Sequence, residues 1–414
     1  MPLYDFTGAA YERRAVYTYA AQLGASDRAV RNPLRLPPCI SSGAHLDFLN
    51  PQNPYFLINR FLLSPGGFLH QTTPPLGMFS KRQGVTVIGD SGGFQFINKP
   101  GLWAGDATRE WVLRFQETHC DEAITLDIPS AAVKPHSPWP SFVDALRTTV
   151  GSLNYFAKHR SRESTIRHLN ALQGRTETEA DDWFNAVRGF AGGGWAFGGD
   201  MRKDFAYLVR RLRELADRGL LGPRQNRVHV LGKGDLVTAV ALSAIQRGMR
   251  TWLNDPAFLI TFDTSNPARI MANALAYGFP DLKKMQLQTW TPPTSYDPTQ
   301  SAKPWPSNAS PLGAQLTYGD MNINKPGINT AQTAWDSVSQ AMLIHHNLFA
   351  LLNGIDAANR ALELPSLAAV QLVPDFIDTA CRALEQACAS ADHLRVLGQP
   401  KASAAIGQIS RIAN

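Results

Sequence analysis

The stretch Val85-Thr-Val-Ile-Gly-Asp90-Ser-Gly-Gly-Phe-Gln95 decides the interpretation of this chain. Its β-branched residues predict a short buried strand that ends at the carboxylate of Asp90. The turn that begins at Ser91 can bring backbone close to a ligand because its two glycines carry no Cβ atom. Phe94 offers a flat apolar face and Gln95 a two-way hydrogen-bonding amide, a pairing that suits a heterocyclic base. The stretch therefore predicts a binding site with one acid at a strand end. The alternative is a tight turn with a capping aspartate.

The composition narrows the classes of protein that this chain can represent. With 414 residues, of which 44% are hydrophobic and 18% charged, it can bury the core of one large barrel domain with additions, or of two ordinary domains. The net charge of +6 permits a polyanionic partner without requiring one. No run is long and apolar enough for a signal peptide or a membrane span, so we expect a soluble protein with no membrane partner.

The cysteines favour a reducing, cytoplasmic environment. Their spacing shows neither close metal-ligand pairs nor the density of a secreted disulfide framework. The four are Cys39, Cys120, Cys381 and Cys388. In the last long segment, Ile377, Cys381, Leu384 and Cys388 form one apolar stripe, which predicts core residues rather than metal ligands.

From residue 85 onward, apolar runs recur that carry an acid, an amide or a glycine at or near their ends, residue types that are common in binding sites. The later runs are 123–129, 166–174, 194–199, 228–232 and 258–263. Their ends lie roughly 25 to 45 residues apart, which is the length of one strand plus a returning helix. This spacing predicts repeated strand–helix units.

The segments between these runs have helical patterns. Apolar residues at 205–215 follow the 3.6-residue period. Asp235 can cap a helix that runs to residue 248, and Pro267 suits the first turn of a helix that runs to residue 278. Six or more strand–helix units without antiparallel hairpins favour a parallel α/β fold, a TIM (β/α) barrel, over an open sheet. In such a barrel the strand ends meet on one face.

Outside this repeat the sequence predicts additions to the barrel. Residues 1–35 carry five arginines that suit a basic arm for phosphates or a solvated N-terminal helix. Residues 37–43 and 55–59 suggest early strands or barrel-closing elements. The Pro/Ser/Thr-rich segment 284–330, with tryptophans that look exposed, predicts a packed, lid-like insertion. These features divide the chain into two parts: a barrel domain, 1–350, and a C-terminal helical extension, 351–414.

Three acids follow predicted strands: Asp90, Asp127 and Asp263. Cleavage of a glycosidic bond needs one carboxylate at the anomeric carbon and an acid or base at the departing group. Any one strand-end aspartate can instead cap the following helix. Three acids together with Gln95, Gln173 and the pair Gly198-Gly199 favour a catalytic site. No P-loop, dinucleotide-binding loop or metal-hydrolase histidine motif is present, so we expect no cofactor.

The segment Asp90-Ser-Gly-Gly-Phe-Gln95 resembles the signature of the tRNA-guanine transglycosylase superfamily. The resemblance continues in order over residues 85–350 of this chain. Its further segments are Asp127, Leu172-Gln173-Gly174, Phe197-Gly198-Gly199, Phe262-Asp263-Thr-Ser-Asn-Pro-Ala-Arg269 and, more faintly, Asn322-Ile-Asn-Lys325 and His346-Asn-Leu348. The family exchanges guanine for a 7-deazaguanine base on a TIM barrel.

The resemblance implies a role for each matching residue. Asp263 is expected to be the nucleophile on the anomeric carbon, and Asp90 the general acid/base. The purine base is expected to contact Ser91, Phe94, Gln95, Asp127, Gln173, Gly198 and Gly199. Asp204 is a further candidate, for the 7-substituent, although it suits a helix N-terminal cap equally well. Phosphate contacts are expected from Arg202, Lys203, Arg269 and Lys325, and from the N-terminal arginines.

The chain departs from the tRNA-modifying members of this superfamily. Those members carry a cysteine-rich zinc site completed by a histidine, and only His346 matches that set. We therefore expect no metal, and a packed or capping role for His346. The segment after Asp127 reads Ile-Pro-Ser-Ala, without the usual acid and cysteine, and 200–204 replaces the usual apolar run. These departures resemble the divergent branch that inserts 7-deazaguanines into DNA, found in phages and in bacterial modification islands.

The sequence and this resemblance together predict base exchange in DNA, with a 7-deazaguanine of the 7-cyano type as the incoming base. The target nucleotide must then be extruded or already unpaired. Three alternatives remain: exchange in tRNA, a non-catalytic nucleic-acid-binding subunit, and a sugar hydrolase. A non-catalytic subunit would be expected to lose its acids, and a hydrolase leaves Gln95 and Gln173 unexplained. The oligomeric state stays open, a homodimer included.

Overall fold

Eight parallel strands close into a barrel in this computed structural model. The structure describes residues 2–21, 25–33, 35–69, 71, 74–190, 192–292, 297–306, 308–321 and 335–413. The barrel strands are β1 Val16–Ala20, β2 Arg60–Leu63, β3 Thr86–Gly89, β4 Glu122–Ile124, β5 Arg167–Leu172, β6 Gly194–Phe197, β7 Arg227–Val230 and β8 Leu259–Thr264. Consecutive strands are neighbours, and β8 pairs with β1 to close the barrel. The predicted TIM barrel is confirmed.

Helices surround the barrel and continue beyond it. In the described residues they are α1 Gly8–Tyr11, α2 Ala25–Arg31, α3 Phe94–Asn98, α4 Asp106–His119, α5 Phe142–His159, α6 Glu177–Val187, α7 Phe205–Asp217, α8 Leu236–Leu253, α9 Asn266–Ala272, α10 Tyr318–Met321, α11 Ser337–Glu363, α12 Ser366–Leu372, α13 Asp375–Ala389, α14 His393–Gly398 and α15 Pro400–Ile412. Asp235 caps α8 as predicted, since its carboxylate accepts from the Thr238 N–H at 2.8 Å. None of the described helices is both long and apolar enough to cross a membrane.

Side chains that alternate along the strands fill the inside of the barrel. Leu62, Ile88, Ile124, Leu169, Ala171 and Ala196 form one buried cluster. Their strand neighbours, such as Val87 and Leu172, belong to a larger cluster between the barrel and its helices. Both faces of most of these strands are therefore largely apolar, as expected for a parallel sheet covered by helices. A packed interior leaves the carboxyl end of the barrel as the place for a ligand.

The N-terminal segment differs from the predicted basic arm or solvated helix. Val16–Ala20 is a barrel strand, and its residues are buried except for the partly exposed Ala20. The arginines around it bind protein acids: Arg14 pairs with Asp356 and Glu363, Arg31 with Asp27, and Arg35 with Asp336. Arg14 and Arg35 are mostly buried in these pairs and stabilise the fold, whereas the Arg31 side chain is 56% exposed.

The early strand predictions are only partly correct. Residues 37–43 form turns and the start of a short 3-10 helix, because their Pro-Pro and Ser-Ser-Gly sequence favours turns. Phe56–Leu57 pairs with Tyr4–Asp5 in a small sheet outside the barrel. The barrel strand β2 starts three residues later, at Arg60.

The chain after β8 also differs from prediction. Helix α9 ends at Ala272, and the chain continues into an antiparallel hairpin of β9 Ala276–Asp281 and β10 Gln286–Trp290, outside the barrel. The expected insertion therefore begins inside a hairpin. Trp305 is 4% exposed and lies against Trp290, with ring centroids 4.9 Å apart, so the expectation that it is exposed is wrong. Residues 293–296, 307 and 322–330 of the insertion lie outside the described residues.

The C-terminal helices pack directly on the barrel. The expected boundary at 350/351 falls inside the continuous helix α11. Helix α13 packs against α8, and its predicted stripe of Ile377, Cys381, Leu384 and Cys388 is buried. Arg213 of α7, which is 1% exposed, caps the C-terminal end of α13 by donating to the carbonyl of Ser390. The extension therefore shares one core with the barrel.

Candidate active site at the carboxyl end of the barrel

A cavity of about 830 Å³ opens at the carboxyl end of the barrel. Residues from the ends of most barrel strands line it, as is usual for enzymes of this fold. It brings together twelve of the residues predicted from the sequence: Asp90, Ser91, Phe94, Gln95, Asp127, Gln173, Gly198, Gly199, Arg202, Lys203, Asp263 and Arg269. Their separation in sequence shows that the cavity is a product of barrel closure.

Asp90 lies directly after β3 and is held at both carboxylate oxygens. Its Oδ1 accepts from the Ser91 N–H at 2.8 Å, and its Oδ2 accepts from the Ser64 hydroxyl at 3.0 Å. Burial and the nearby carboxylate of Asp263 nevertheless raise the pKa of Asp90 above its ordinary value. A carboxyl group that holds its proton more strongly is suited to act as a general acid and then as a base.

Asp127 is the most deeply buried acid of the cavity, with 1% of its surface exposed. It follows β4, and its Oδ2 accepts from Gln173 Nε2 at 2.7 Å. Burial raises the pKa of Asp127 to about 6, although hydrogen bonds from Ser91 and Gln173 oppose the shift. The second amide atom of Gln173, Oε1, is buried and has no hydrogen-bond partner among the described residues. This pair therefore offers two acceptors to a ligand.

Replacement of Asp127 by asparagine is expected to stabilise the free protein above pH 6. A carboxyl with a raised pKa stabilises the fold most below about pH 4, and this contribution is lost as the pH rises through about 6. The rise from 3.8 corresponds to about 3 kcal/mol. The asparagine Oδ1 can still accept from Gln173. Urea unfolding of both proteins at pH 4.5 and pH 8 measures the difference.

The same variant should bind a purine base more weakly, because one acceptor of the pair is lost. Asp106→Asn, in an exposed position of α4, provides the control and should show no such gain in stability. An Asp127→Asn variant whose stability relative to the unmodified protein is the same at both pH values would contradict a raised pKa in the folded state.

Two glycines of the motifs make room for protein atoms rather than for a ligand. A Cβ atom on Gly93 would lie 2.5 Å from the Asp127 carbonyl oxygen, and one on Gly198 would lie 2.4 Å from Gln173 Nε2. From the sequence, the glycines of the first motif are expected to let a ligand approach the backbone. At Gly93 this expectation is wrong, because protein atoms fill the space. Gly93 lets the turn after β3 pack on the Asp127 segment, and Gly198 lets Gln173 reach Asp127.

Asp263 belongs to the last barrel strand and is 6% exposed. Its Oδ1 accepts from the Gly232 N–H at 2.8 Å and lies 3.1 Å from His229 Nε2. No hydrogen bond to Oδ2 occurs in the part of the chain that the structure describes. One oxygen of Asp263 is therefore fixed, and the other remains for a reacting carbon.

Five basic side chains line the cavity together with Asp200 and Asp235: Arg175, Arg202, Lys203, Lys233 and Arg269. Arg175 pairs with Glu179. Arg202 donates to the Gly199 carbonyl oxygen, and Lys203 pairs with Asp200 at 2.9 Å. Partial burial and the neighbouring cations Arg202 and Lys203 lower the pKa of Lys233. Among the described residues, Arg202, Lys233 and Arg269 form no salt bridge, so these three suit a ligand with anionic groups at its periphery.

One predicted site residue, Asp204, does not join this group. Asp204 does not line the cavity, and its Oδ1 accepts from the Tyr207 N–H at 3.0 Å. It caps α7, which was the alternative to contact with a 7-substituent. Lys325, with the faint motif around it, lies outside the described residues.

His346 lies in α11, away from the acids, and both of its ring nitrogens make hydrogen bonds. Nε2 lies 2.7 Å from the Tyr277 carbonyl oxygen and Nδ1 lies 2.7 Å from the Ser310 hydroxyl. Burial lowers the pKa of His346 to about 4, so the ring is neutral, Nε2 donates and Nδ1 accepts. Within the described ranges, no group of three or more histidine, cysteine, aspartate or glutamate side chains could hold a metal ion.

Sequence reasoning missed Ser64, His229 and Lys233. Ser64 follows β2 and holds Asp90, and Lys233 follows β7 at the mouth of the cavity. His229 left a detectable signal, since it is a polar residue between two valines near the end of a predicted strand. An inward-facing polar residue at that position of a barrel strand is a candidate site residue.

Comparison of the sequence with protein-family models and with curated proteins finds no match. A function for the cavity is therefore inferred from its chemistry.

Proposed function

We propose that this chain is a guanine transglycosylase, which replaces guanine in DNA by a 7-deazaguanine base of the 7-cyano type through a glycosyl ester on Asp263. The observation that carries this proposal is the arrangement of two carboxylates with different environments beside a buried pair of acceptors. Asp90 and Asp263 are close enough for the charge of one to raise the pKa of the other. Asp127 and Gln173 lie in the same cavity.

The acceptors of the cavity suit the N–H groups of guanine. Guanine carries an exocyclic amine at its Watson–Crick edge, beside a ring N–H. The Asp127 carboxylate and Gln173 Oε1 can accept from these groups, and Gln95 Oε1 is a further buried oxygen without a described partner. A buried acceptor without a hydrogen bond costs about 1–3 kcal/mol, which a bound base would recover. The side chain of Phe94 lines the same cavity and is 65% exposed, so it can stack on a base.

The two carboxyl groups suit a double displacement. In the first step, Asp263 Oδ2 forms a bond to the anomeric carbon, the bond from that carbon to guanine breaks, and Asp90 gives its proton to the departing base. In the second step, the incoming base loses a proton to Asp90 and attacks the same carbon. The Asp263 carboxylate then leaves with the electron pair of the ester bond. Two displacements retain the configuration of the sugar.

The basic side chains that line the cavity support a nucleic acid as the substrate. The carboxylates cannot reach an anomeric carbon inside an intact base stack, so the nucleotide must be turned out or be unpaired. Turning it out costs a few kcal/mol, and phosphate contacts from Arg202, Lys233 and Arg269 would offset that cost. The preference for DNA over tRNA depends on the sequence departures: the missing cysteines and the altered segment after Asp127.

A competition between the two nucleic acids tests the substrate. The protein is given duplex DNA and unmodified tRNA together, with a labelled 7-cyano-7-deazaguanine base and with Asp263→Asn as the matched inactive protein. We expect label in the DNA and none with the variant. Label in tRNA alone would contradict the DNA assignment, and label in neither would favour a nucleic-acid-binding subunit without chemistry.

Removal of the Lys233 charge should weaken the binding of DNA without slowing the chemical step. Its ammonium group makes no described hydrogen bond and lines the cavity, so we expect it to contact a phosphate. Lys233→Ala should lower the slope of log affinity against log salt by about 0.9, the value for one phosphate contact. Fluorescence anisotropy of a labelled duplex at several salt concentrations measures this slope.

Lys401→Ala, at the exposed start of α15 and outside the cavity, is the matched control and should leave the slope unchanged. An unchanged slope for Lys233→Ala would rule out a phosphate contact at Lys233.

A further inference from the structure

We propose that His229 is a positioning residue for the nucleophile: it holds Asp263 Oδ1 so that Oδ2 faces the anomeric carbon. This inference rests on the proposed function, because it requires Asp263 to attack a sugar. His229 lies in β7, next to β8, and is completely buried. Its register partner in β8 is Thr261, two residues before Asp263.

Two neighbours fix the orientation of the His229 ring. Nδ1 lies 2.8 Å from the Thr261 hydroxyl and Nε2 lies 3.1 Å from Asp263 Oδ1. A carboxylate can only accept, so Nε2 carries the proton in this contact. The other ring nitrogen, Nδ1, is held by the Thr261 hydroxyl, which itself donates to the Val228 carbonyl oxygen at 3.3 Å. Thr261 therefore holds the ring in the orientation in which Nε2 donates to Asp263.

The Gly232 backbone is the second donor to Asp263, and together with His229 it forms a clamp on the carboxylate. Its N–H donates to the same Oδ1 at 2.8 Å, and a residue in a turn after β7 cannot move freely against the strand. Two donors from β7 and its following turn thus hold one oxygen of a side chain on β8. Such a clamp removes rotation about the carboxylate, and a displacement of about 1 Å at a reacting group can cost 10²-fold in rate.

A role in packing alone would give a different pattern from a role as a donor. Glutamine can place an amide N–H near the position of the histidine Nε2, whereas asparagine is shorter and reaches only the Nδ1 position. His229→Asn should therefore lose the contact with Asp263, and His229→Gln should keep it. A packing role predicts instead that any loss of rate follows the loss of side-chain volume and is accompanied by a lower thermal midpoint.

Single-turnover formation of the Asp263–DNA adduct separates these roles. We expect His229→Asn to slow adduct formation about 10²-fold with an unchanged KM for DNA, and His229→Gln to recover most of the rate. The control is His168→Gln, a buried barrel histidine on β5 outside the cavity, which should react at the unmodified rate. Thermal midpoints establish that each variant is folded.

Thr261→Val tests the same clamp by a milder change, and it decides the question if His229→Asn does not fold. Without the hydroxyl, Nδ1 loses its hydrogen-bond partner, and adduct formation should slow with KM unchanged. Three results would overturn the role of His229. The first is an equal rate in the unmodified protein and His229→Asn, and the second is an equal loss in the two His229 variants. The third is a Thr261→Val rate within about twofold of the unmodified rate. An unmodified protein that forms no adduct and exchanges no base would overturn the proposed function itself, and the assignment of His229 with it.

Discussion

Asp263→Asn is expected to abolish base exchange while leaving the binding of nucleic acid largely intact. Asparagine keeps the size of the side chain and an oxygen that can accept from the Gly232 N–H, so the cavity should keep its shape. The amide is a very poor nucleophile, and no glycosyl ester can form on it. Measurement of labelled guanine exchange and of DNA affinity in the same variant separates chemistry from binding.

Base exchange and DNA affinity should respond differently to Asp263→Asn. Loss of exchange together with loss of DNA binding and of thermal stability would indicate a structural role for Asp263. A variant that still exchanged base at near the unmodified rate would remove Asp263 from the mechanism. Asp106→Asn, an exposed carboxylate of α4, should match the unmodified protein in both measurements.

Asp90→Asn is expected to slow exchange by about 10²–10⁴-fold, the usual loss when a general acid/base is removed. The raised pKa of Asp90 keeps a proton available for the departing guanine, and asparagine cannot supply it. A covalent glycosyl ester on Asp263 should still be detectable, because the nucleophile is intact. Single-turnover kinetics at several pH values measures both quantities.

The pH profile of base exchange by the unmodified protein provides the check on this proposed role. Exchange should decline on the acidic and basic sides of an optimum, because Asp90 must give a proton in the first step and accept one in the second. If Asp90→Asn retained the full rate and the same profile, proton transfer by Asp90 would be disproved.

The barrel could be predicted from the sequence because its strands from β3 onward are apolar runs at regular intervals. Each run carries an acid, an amide or a glycine at or near its end, and closure of the barrel brings these ends into one cavity. Strand β1 escaped prediction because arginines flank Val16–Ala20 on both sides and suggest an exposed segment. Two of those arginines, Arg14 and Arg35, bind acids of the distant helix α11 and of its N-cap, contacts that only the tertiary structure shows.

The acids of the site could be predicted, but the groups that control them could not. Asp90, Asp127 and Asp263 stand at strand ends and are recognisable by position. Ser64 and His229 depend on the register between neighbouring strands, which sets the contacts of Ser64 with Asp90 and of His229 with Asp263. Register arises from barrel closure, so no single stretch of sequence contains it.

The glycines of the motifs are a second case in which the sequence does not show the tertiary contacts. Their sequence pattern indicates a special backbone, but not whether a ligand or the protein occupies the space. At Gly93 and Gly198 the neighbours are the Asp127 carbonyl and the Gln173 amide. Substitution at either position would therefore displace Asp127 or Gln173, rather than block a ligand directly.

Trapping of the covalent intermediate tests the proposed chemistry most directly. The protein is mixed with an oligonucleotide in the absence of an incoming base, denatured, digested and analysed by mass spectrometry for a peptide joined to DNA. We predict an ester on Asp263, to an oligonucleotide that has lost one guanine, and no such adduct with Asp263→Asn. Base exchange without any adduct, or an adduct on a different residue, would contradict a glycosyl ester on Asp263.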